Sequence, residues 1–348
     1  MTTRAEAPTR VLVLGATGTA GRASARALLR AGHEVVCLVR TGGAADDVDG
    51  VRRAARLPAG IELRVGDVTD PTSLRRDGIR GERFDALVSC LASRTGAPAD
   101  AWAIDHGAQS VALGAAKEAG VRQMVLLSAI CVQKPLLAFQ RAKLAFEREL
   151  IESGLTYSIV RPTAFFKSLS GQVDRVRRGK PYLLFGDGTL TACKPIGDDD
   201  LGDYLAGCLR NPACHDRILP IGGPGGEITP REQGEHLFAL TGRKPRFRQV
   251  PIALLDGARI TLERLGRWSP KWSGKAELAR IARYYATESM LVLDPATGRY
   301  DPAATPETGT ETLFDFYARL IDGSASVERR EHALFGAEKD AGERGARR

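Results

Sequence analysis

The chain has 348 residues, 43% of them hydrophobic, and a formal net charge of +8. That length can bury one large core or two lobes, and no run of about 18 apolar residues is present to span a bilayer. Six cysteines without a CxxC pair (Cys37, Cys90, Cys131, Cys193, Cys208, Cys214) and five scattered histidines argue for reduced thiols, against a disulfide frame and against a metal site. The first ten residues carry no apolar signal core, so a cytoplasmic location is expected.

Residues 11–14, VLVL, read as a short buried strand. Gly15, Gly18 and Gly21 follow at three-residue spacing. Residues 22–30 have helical composition, Gly32 ends that helix, and 35–39 form a second buried strand. A glycine motif acquires meaning in such a strand–turn–helix–strand unit of about 30 residues. Gly15 permits a tight turn, Gly18 lets the backbone approach a pyrophosphate, and Gly21 lets the helix pack closely on the strand. Thr17 lies within the turn, and the free N–H groups at the helix start bind phosphates. Strand two ends in Arg40, where an NAD-binding chain usually carries an acid. An arginine there can hold a 2′-phosphate, with Arg22 assisting, so the expected cofactor is NADPH. The alternative is that both arginines are solvated surface charges.

Residues 41–60 read as a loop with a short helix, and 61–65 as a third strand ending at Gly66-Asp67-Val68. In dinucleotide folds of this kind an aspartate at Asp67 hydrogen-bonds the adenine amino group; the alternative is a cap for the helix starting near Asp70, with Pro71 at its first position. A fourth strand, 84–90, ends at Cys90, and ligands of open α/β sheets sit at such carboxyl ends. A long helix over 101–120, a strand over 124–128, a helix over 136–153 and a strand over 156–160 follow, with Arg161-Pro162 beyond. This alternation predicts an α/β fold of Rossmann type, a doubly wound parallel sheet. Residues 8–165 are assigned to the cofactor domain, 166–323 to a smaller, mostly helical substrate lobe, and 324–348 to a charged, disordered tail. Within 166–323, residues 180–196 read as a hairpin turning at Gly186-Asp187-Gly188. Asp198 or Asp199 caps a helix through Leu209, and 217–221 is a strand returning to the sheet edge.

The GxxGxxG spacing resembles that of the extended and atypical short-chain dehydrogenase/reductases. That resemblance implies a YxxxK pair on the helix after strand five, the tyrosine protonating a carbonyl oxygen and the lysine lowering its pKa. Here the stretch is Phe139-Gln140-Arg141-Ala142-Lys143, with Ser128 where the family's serine lies. Phenylalanine has no proton to give, which argues against ordinary ketone reduction. Two classes remain: a non-catalytic NADP-binding sensor or scaffold of the NmrA-like kind, or a reductase of a carbon–carbon double bond.

The stretches 128–150, 157–173, 179–196 and 198–201 are similar to the divinyl chlorophyllide 8-vinyl reductase family, in the NmrA-like and isoflavone-reductase-like branch, and the likeness spans roughly residues 8–323. It implies NADPH-dependent reduction of the 8-vinyl group of divinyl chlorophyllide or protochlorophyllide to ethyl, in chlorophyll or bacteriochlorophyll synthesis. A cation near the pigment would stabilise charge that develops only in the transition state. Lys143 is the candidate, either in that role or purely in ribose binding, with the final proton coming from Lys143 or water; Ser128 is the second catalytic candidate. Val68, Cys90 and Pro162 complete the expected cofactor set. Phe139, Phe165 and Phe166, with Ile130 and Leu136, either wall an apolar pocket or pack as core. The pigment's propionate calls for a cation, for which the resemblance favours Lys194; Lys167 and the basic lobe are the alternatives.

Residues 241–283 hold eleven Lys/Arg against three Asp/Glu, a local excess equal to the whole net charge. Leu254, Ala258, Leu262, Leu265 and Trp268 recur at helical spacing, with Arg259, Arg264 and Arg267 off that stripe. The stripe either packs into the lobe or makes weak peripheral contact with an anionic membrane. No nucleic-acid motif is present.

Overall fold

The computed structural model describes residues 9–41, 47–266 and 270–327. The apolar runs become parallel strands: β1 (Arg10–Leu14), β2 (Glu34–Val39), β3 (Glu62–Val65), β4 (Ala86–Ser89), β5 (Gln123–Leu127) and β6 (Thr156–Pro162). A short β7 (Tyr182–Phe185) follows, and then β8 (Arg217–Ile221), which returns to the sheet beside β6. The sheet order is β3-β2-β1-β4-β5-β6-β8. Strand order reverses between β1 and β4, and the loops leaving those two strands open the crevice where such sheets bind ligands.

Both sheet faces are covered, which is why the strands read as nearly unbroken apolar runs. Val11, Val13, Val88 and Val125 pack on Ala25 and Leu28 of the helix Thr19–Arg30 and on Leu201 and Leu205 of the helix Asp198–Gly207. Leu12, Leu14 and Leu87 face Leu113, Ala116, Phe146 and Leu150 on the other side. The helix Asp198–Gly207 and β8 complete the cofactor half although both lie beyond residue 165. That helix runs beside Thr19–Arg30, tied by Arg26–Asp199 and Arg30–Asp203 pairs. Gly202 permits the close approach: a Cβ there would lie 2.6 Å from the Ala23 carbonyl carbon. Neither Asp198 nor Asp199 is its cap; Gly197 is, and three aspartates occupy the first turn, where they favour the positive end of the helix dipole.

Two further expectations are corrected. The predicted hairpin over 180–196 does not form. Asp187 does hold a turn, accepting from the Thr189 N–H and hydroxyl, but β7 pairs in parallel with β9 (Phe247–Val250). Tyr182 and Leu184 are buried in a core with Leu237 and Phe238, so β7 is drawn to β9 rather than to its own return arm. Cys193 bridges instead to Ile228 and Met290. The predicted helix over 101–120 is interrupted: an α-turn at Pro98–Ala101 opens into a π-helical stretch at Trp102–Ala108 before α-helix resumes at Gln109–Glu118.

The second half carries the helices Pro230–Leu240, Ile252–Gly266, Pro270–Thr287 and Leu313–Asp322, with a small ribbon of β10 (Val292–Leu293) and β11 (Tyr300–Asp301). Thr229 and Thr312 begin two of these helices with reciprocal caps to Glu232 and Asp315. Arg267, Trp268, the side chain of Leu265 and the tail beyond residue 327 lie outside the described residues. Among the described residues no helix is long and apolar enough to cross a membrane, and all six cysteines are free thiols.

Candidate active site

The turn after β1 is built around three backbone approaches. Gly15 has φ +79°, and a Cβ there would lie 2.7 Å from the Cys90 carbonyl oxygen, so only glycine lets β1 and β4 exit side by side. A Cβ on Gly21 would lie 2.7 Å from the Gly15 carbonyl carbon, with the oxygen nearer still. Gly18 is the N-cap of the helix Thr19–Arg30 and offers no side chain to its first N–H groups. A Cβ would fill this cradle, and the free donors at its floor fit a diphosphate. Thr17 is exposed at its rim and Arg22 lies in the first helical turn. Lys167, one of the alternatives for the substrate's propionate, has its Nζ 3.1 Å from the Thr19 hydroxyl, at the start of this helix.

Arg40 is exposed just past the end of β2. Asp67 is held below the usual carboxylate range by the Thr69 N–H and hydroxyl, with a smaller pull from Arg40. The cap of the next helix is Asp70, which accepts from the Thr72 N–H with Pro71 at the first position; of the two readings of Asp67, capping therefore goes to its neighbour. Val68 is buried behind it. Cys90 sits 3.6 Å from the Ser24 hydroxyl, and burial pushes its thiol up to about 11 even with Lys143 pulling the other way. It is a neutral thiol near pH 7.

The helix Ala138–Glu152 carries Phe139, Lys143 and Glu147 on one face at four-residue steps. Its start is fixed by Gln140, which accepts from the Leu137 N–H and donates to the Cys131 carbonyl. Glu277, from the helix Pro270–Thr287, accepts the Ala138 N–H, so the second half of the chain closes directly on this helix. Lys143 Nζ lies 2.9 Å from Asp105 Oδ1, the two side chains being 11% and 1% exposed. Asp105 stands on the π-helical stretch and also accepts the Ser93 N–H at 3.3 Å.

The remaining expected residues disperse. The Ser128 hydroxyl donates to Glu147 at 2.5 Å, and Glu147 also accepts from Nε and Nη2 of the Arg161 guanidinium. Ser128 is thus bound into a buried Glu147–Arg161 network, beside Pro162 at the end of β6. Phe139 is half-buried against Ile281 and Gly96. Phe165 is half-buried, its backbone bridging Ile196. Phe166, for which the sequence leaves pocket wall and core packing both open, is 2% exposed with its ring tilted against that of Phe316 at 5.4 Å between centroids, so it is core. Ile130 is likewise core, and Leu136 points to solvent. Lys194, the cation that the resemblance favours for the propionate, has its Nζ 2.8 Å from Glu307 and 3.0 Å from the Thr305 carbonyl. A substrate carboxylate there would share the ammonium with Glu307, just as negative charge at Lys143 shares its ammonium with Asp105.

Asp105, Glu147, Arg161 and Glu277 were missed from sequence. For Asp105 a signal existed: Ala101, Asp105, Ala108 and Ala112 form a stripe of buried positions at helical spacing, and a carboxylate on it needs a cation. The assembled site offers a diphosphate cradle, a sheltered lysine, and a phenylalanine where a phenol would protonate an oxygen. It can bind a dinucleotide and stabilise negative charge, and Phe139 itself supplies no proton.

Fold and turn together define a Rossmann-type NAD(P)H-binding chain, and the family described as NAD(P)H-binding matches residues 15–212. Among solved structures, the leucoanthocyanidin reductase–NADPH binary complex from Vitis vinifera superposes with a TM-score of 0.66, at 16% identity, over 90% of this chain and 99% of that one. Among curated proteins, the chloroplastic divinyl chlorophyllide a 8-vinyl-reductase of Oryza sativa subsp. indica is 48% identical over 337 residues, covering 95% of this chain and 83% of that protein. The Arabidopsis thaliana protein of the same name is 46% identical over 91% of this chain and 78% of its own length. The chain belongs to the divinyl chlorophyllide a 8-vinyl-reductase family.

Proposed function

We propose that this chain reduces the 8-vinyl group of a divinyl chlorophyllide or protochlorophyllide to ethyl, using NADPH. The observation that carries the reading is Lys143 sheltered in the cleft one helical turn after a phenylalanine. Bound NADPH would supply a hydride to the terminal vinyl carbon. Lys143 then faces the charge that spreads into the macrocycle, an interaction stronger in the transition state than in the ground state. A proton from Lys143 or from water on the adjacent carbon completes the ethyl group. Gly15, Gly18 and Gly21 hold the diphosphate and Arg40 the 2′-phosphate. Phe139 and Phe165 border the pigment, and Ser128 steadies the lysine's helix through Glu147. The cofactor-binding scaffold is the disfavoured alternative, because the 46–48% identical relatives bear a reductase name.

The deciding experiment adds divinyl chlorophyllide and divinyl protochlorophyllide separately to the protein with NADPH. Oxidation of NADPH with appearance of the 8-ethyl pigment is expected, and Lys143→Ala should abolish most of it. Cofactor binding without oxidation in either mixture would hand the chain to the scaffold class.

A weak contact with an anionic membrane is the finer part of the proposal. The three acids of residues 241–283 are each matched: Asp256 with Arg283, Glu263 with Arg259 and Arg280, and Glu277 with Arg280. By sequence the segment's eight further cations have no acid within the segment to match them, and Leu254 and Trp272 in it are exposed. Attraction is worth about 1 kcal/mol per basic residue near the surface and falls with salt. Cosedimentation with anionic vesicles at low salt is expected, and its absence there rejects the contact.

A further inference from the structure

The cleft holds a carboxylate for which the proposed reaction has no use. Asp105 is buried to 1% exposure, with Oδ1 shared between Lys143 Nζ at 2.9 Å and the Ser93 N–H at 3.3 Å. Among the described residues its second oxygen, Oδ2, is buried with no hydrogen-bond partner. A buried oxygen without a donor is costly, and a carboxylate kept only for packing is better replaced by an apolar side chain. The residue also stands on a π-helical stretch, a local distortion found frequently at functional sites.

We propose that Asp105 is the positioning residue for Lys143. A lysine ammonium is a point charge on a flexible four-carbon stem with three donors, and it tends to carry its head to water. Asp105 takes one donor from below and pins the head in the cleft. The other two donors are thereby aimed at the mouth, toward the cofactor and the pigment. The Ser93 N–H, in the loop four residues past β4, fixes the carboxylate in turn, so the charge is tied to that loop and not only to a helix. This inference rests on the catalytic reading of Lys143.

The test compares Asp105→Asn and Asp105→Glu with the parent in the presence of NADPH. Displacing a reacting group by about 1 Å can cost on the order of 100-fold in rate. Asp105→Asn is therefore expected to lower kcat by about that factor, with KM for the pigment and Kd for NADPH little changed. Asp105→Glu, which keeps the charge, should recover part of the loss. A second readout needs no turnover: acylation of Lys143 by a small amine reagent, followed by mass spectrometry. Asp105→Asn should raise Lys143 labelling several-fold, because the freed head reaches solvent. Parent-like kcat in Asp105→Asn, or unchanged Lys143 labelling, overturns the proposal. If the parent itself shows no pigment turnover, the functional reading fails, and the labelling result alone decides whether Asp105 pins Lys143. If Asp105→Asn does not fold, Asp105→Glu carries the test: a reduced kcat with NADPH affinity intact supports the proposal, and a parent-like kcat overturns it.

Discussion

Replacing Gly21 by alanine puts two known effects in opposition. Alanine is the better helix former, and at an ordinary helical position the change would stabilise by about 0.5–1 kcal/mol. Here the new methyl would lie 2.7 Å from the Gly15 carbonyl carbon and 3.0 Å from the Ala16 Cα. These are backbone atoms of the turn itself and have no side-chain freedom with which to yield. Overpacking of this kind costs about 1–3 kcal/mol, and a rigid neighbour places the cost at the upper end. The net loss is then about 2–2.5 kcal/mol. At about 2–4 °C per kcal/mol for chains of 150–250 residues, and less for longer ones, thermal denaturation of the cofactor-free protein should show Tm lowered by a few degrees. Gly18→Ala is the paired control. Its backbone is extended (φ −75°, ψ 164°) and its Cβ would meet nothing nearer than 3.4 Å. Stability should fall by no more than about 1 kcal/mol, the scale of a weakened cap, while fluorescence titration shows NADPH affinity collapsing because the methyl occupies the diphosphate's path. A Gly21→Ala protein as stable as the parent would refute the packing argument. A Gly18→Ala protein with parental NADPH affinity would refute the placement of the diphosphate.

Arg40→Asp should weaken NADPH binding with little effect on NADH, measured by titration of each; equal affinity of the parent for both cofactors would remove Arg40 from the 2′-phosphate. Phe139→Tyr should leave pigment turnover no higher than the parent's, since no oxyanion awaits a proton, and a clear rise would bring an oxygen-protonating step back into the chemistry. His33 is buried, and desolvation together with the Arg210 charge holds its pKa below the ordinary 6.5. The folded state therefore disfavours the charged ring, so His33 costs stability as pH falls below about 6.5; His33→Gln should flatten that acid limb in denaturant titrations. Asp198 acts with the opposite sign. Burial lifts its carboxyl to about 6 against 3.8, so its ionisation costs stability that builds between about pH 4 and 6 and stays in full above that range, and Asp198→Asn should raise Tm at pH 8 more than at pH 5.

The sequence by itself determined the dinucleotide half. Glycines at fixed spacing, apolar runs and a helix between them are local signals, and each states its own requirement: φ above zero, a face to bury, a helix start left open. β8 was legible on the same grounds, an apolar run of strand length. The lysine without its tyrosine was legible too, because the helix period alone aligns Phe139 with Lys143. What the tertiary structure decided was which partner each polar side chain takes. Ser128 goes to Glu147, Lys194 to Glu307, Lys143 to Asp105, and β7 to β9 rather than to its neighbour in sequence. Those choices join residues far apart along the chain. A buried charge accepts only a partner that the packing has already placed within about 3 Å, and no local pattern along the sequence carries that distance.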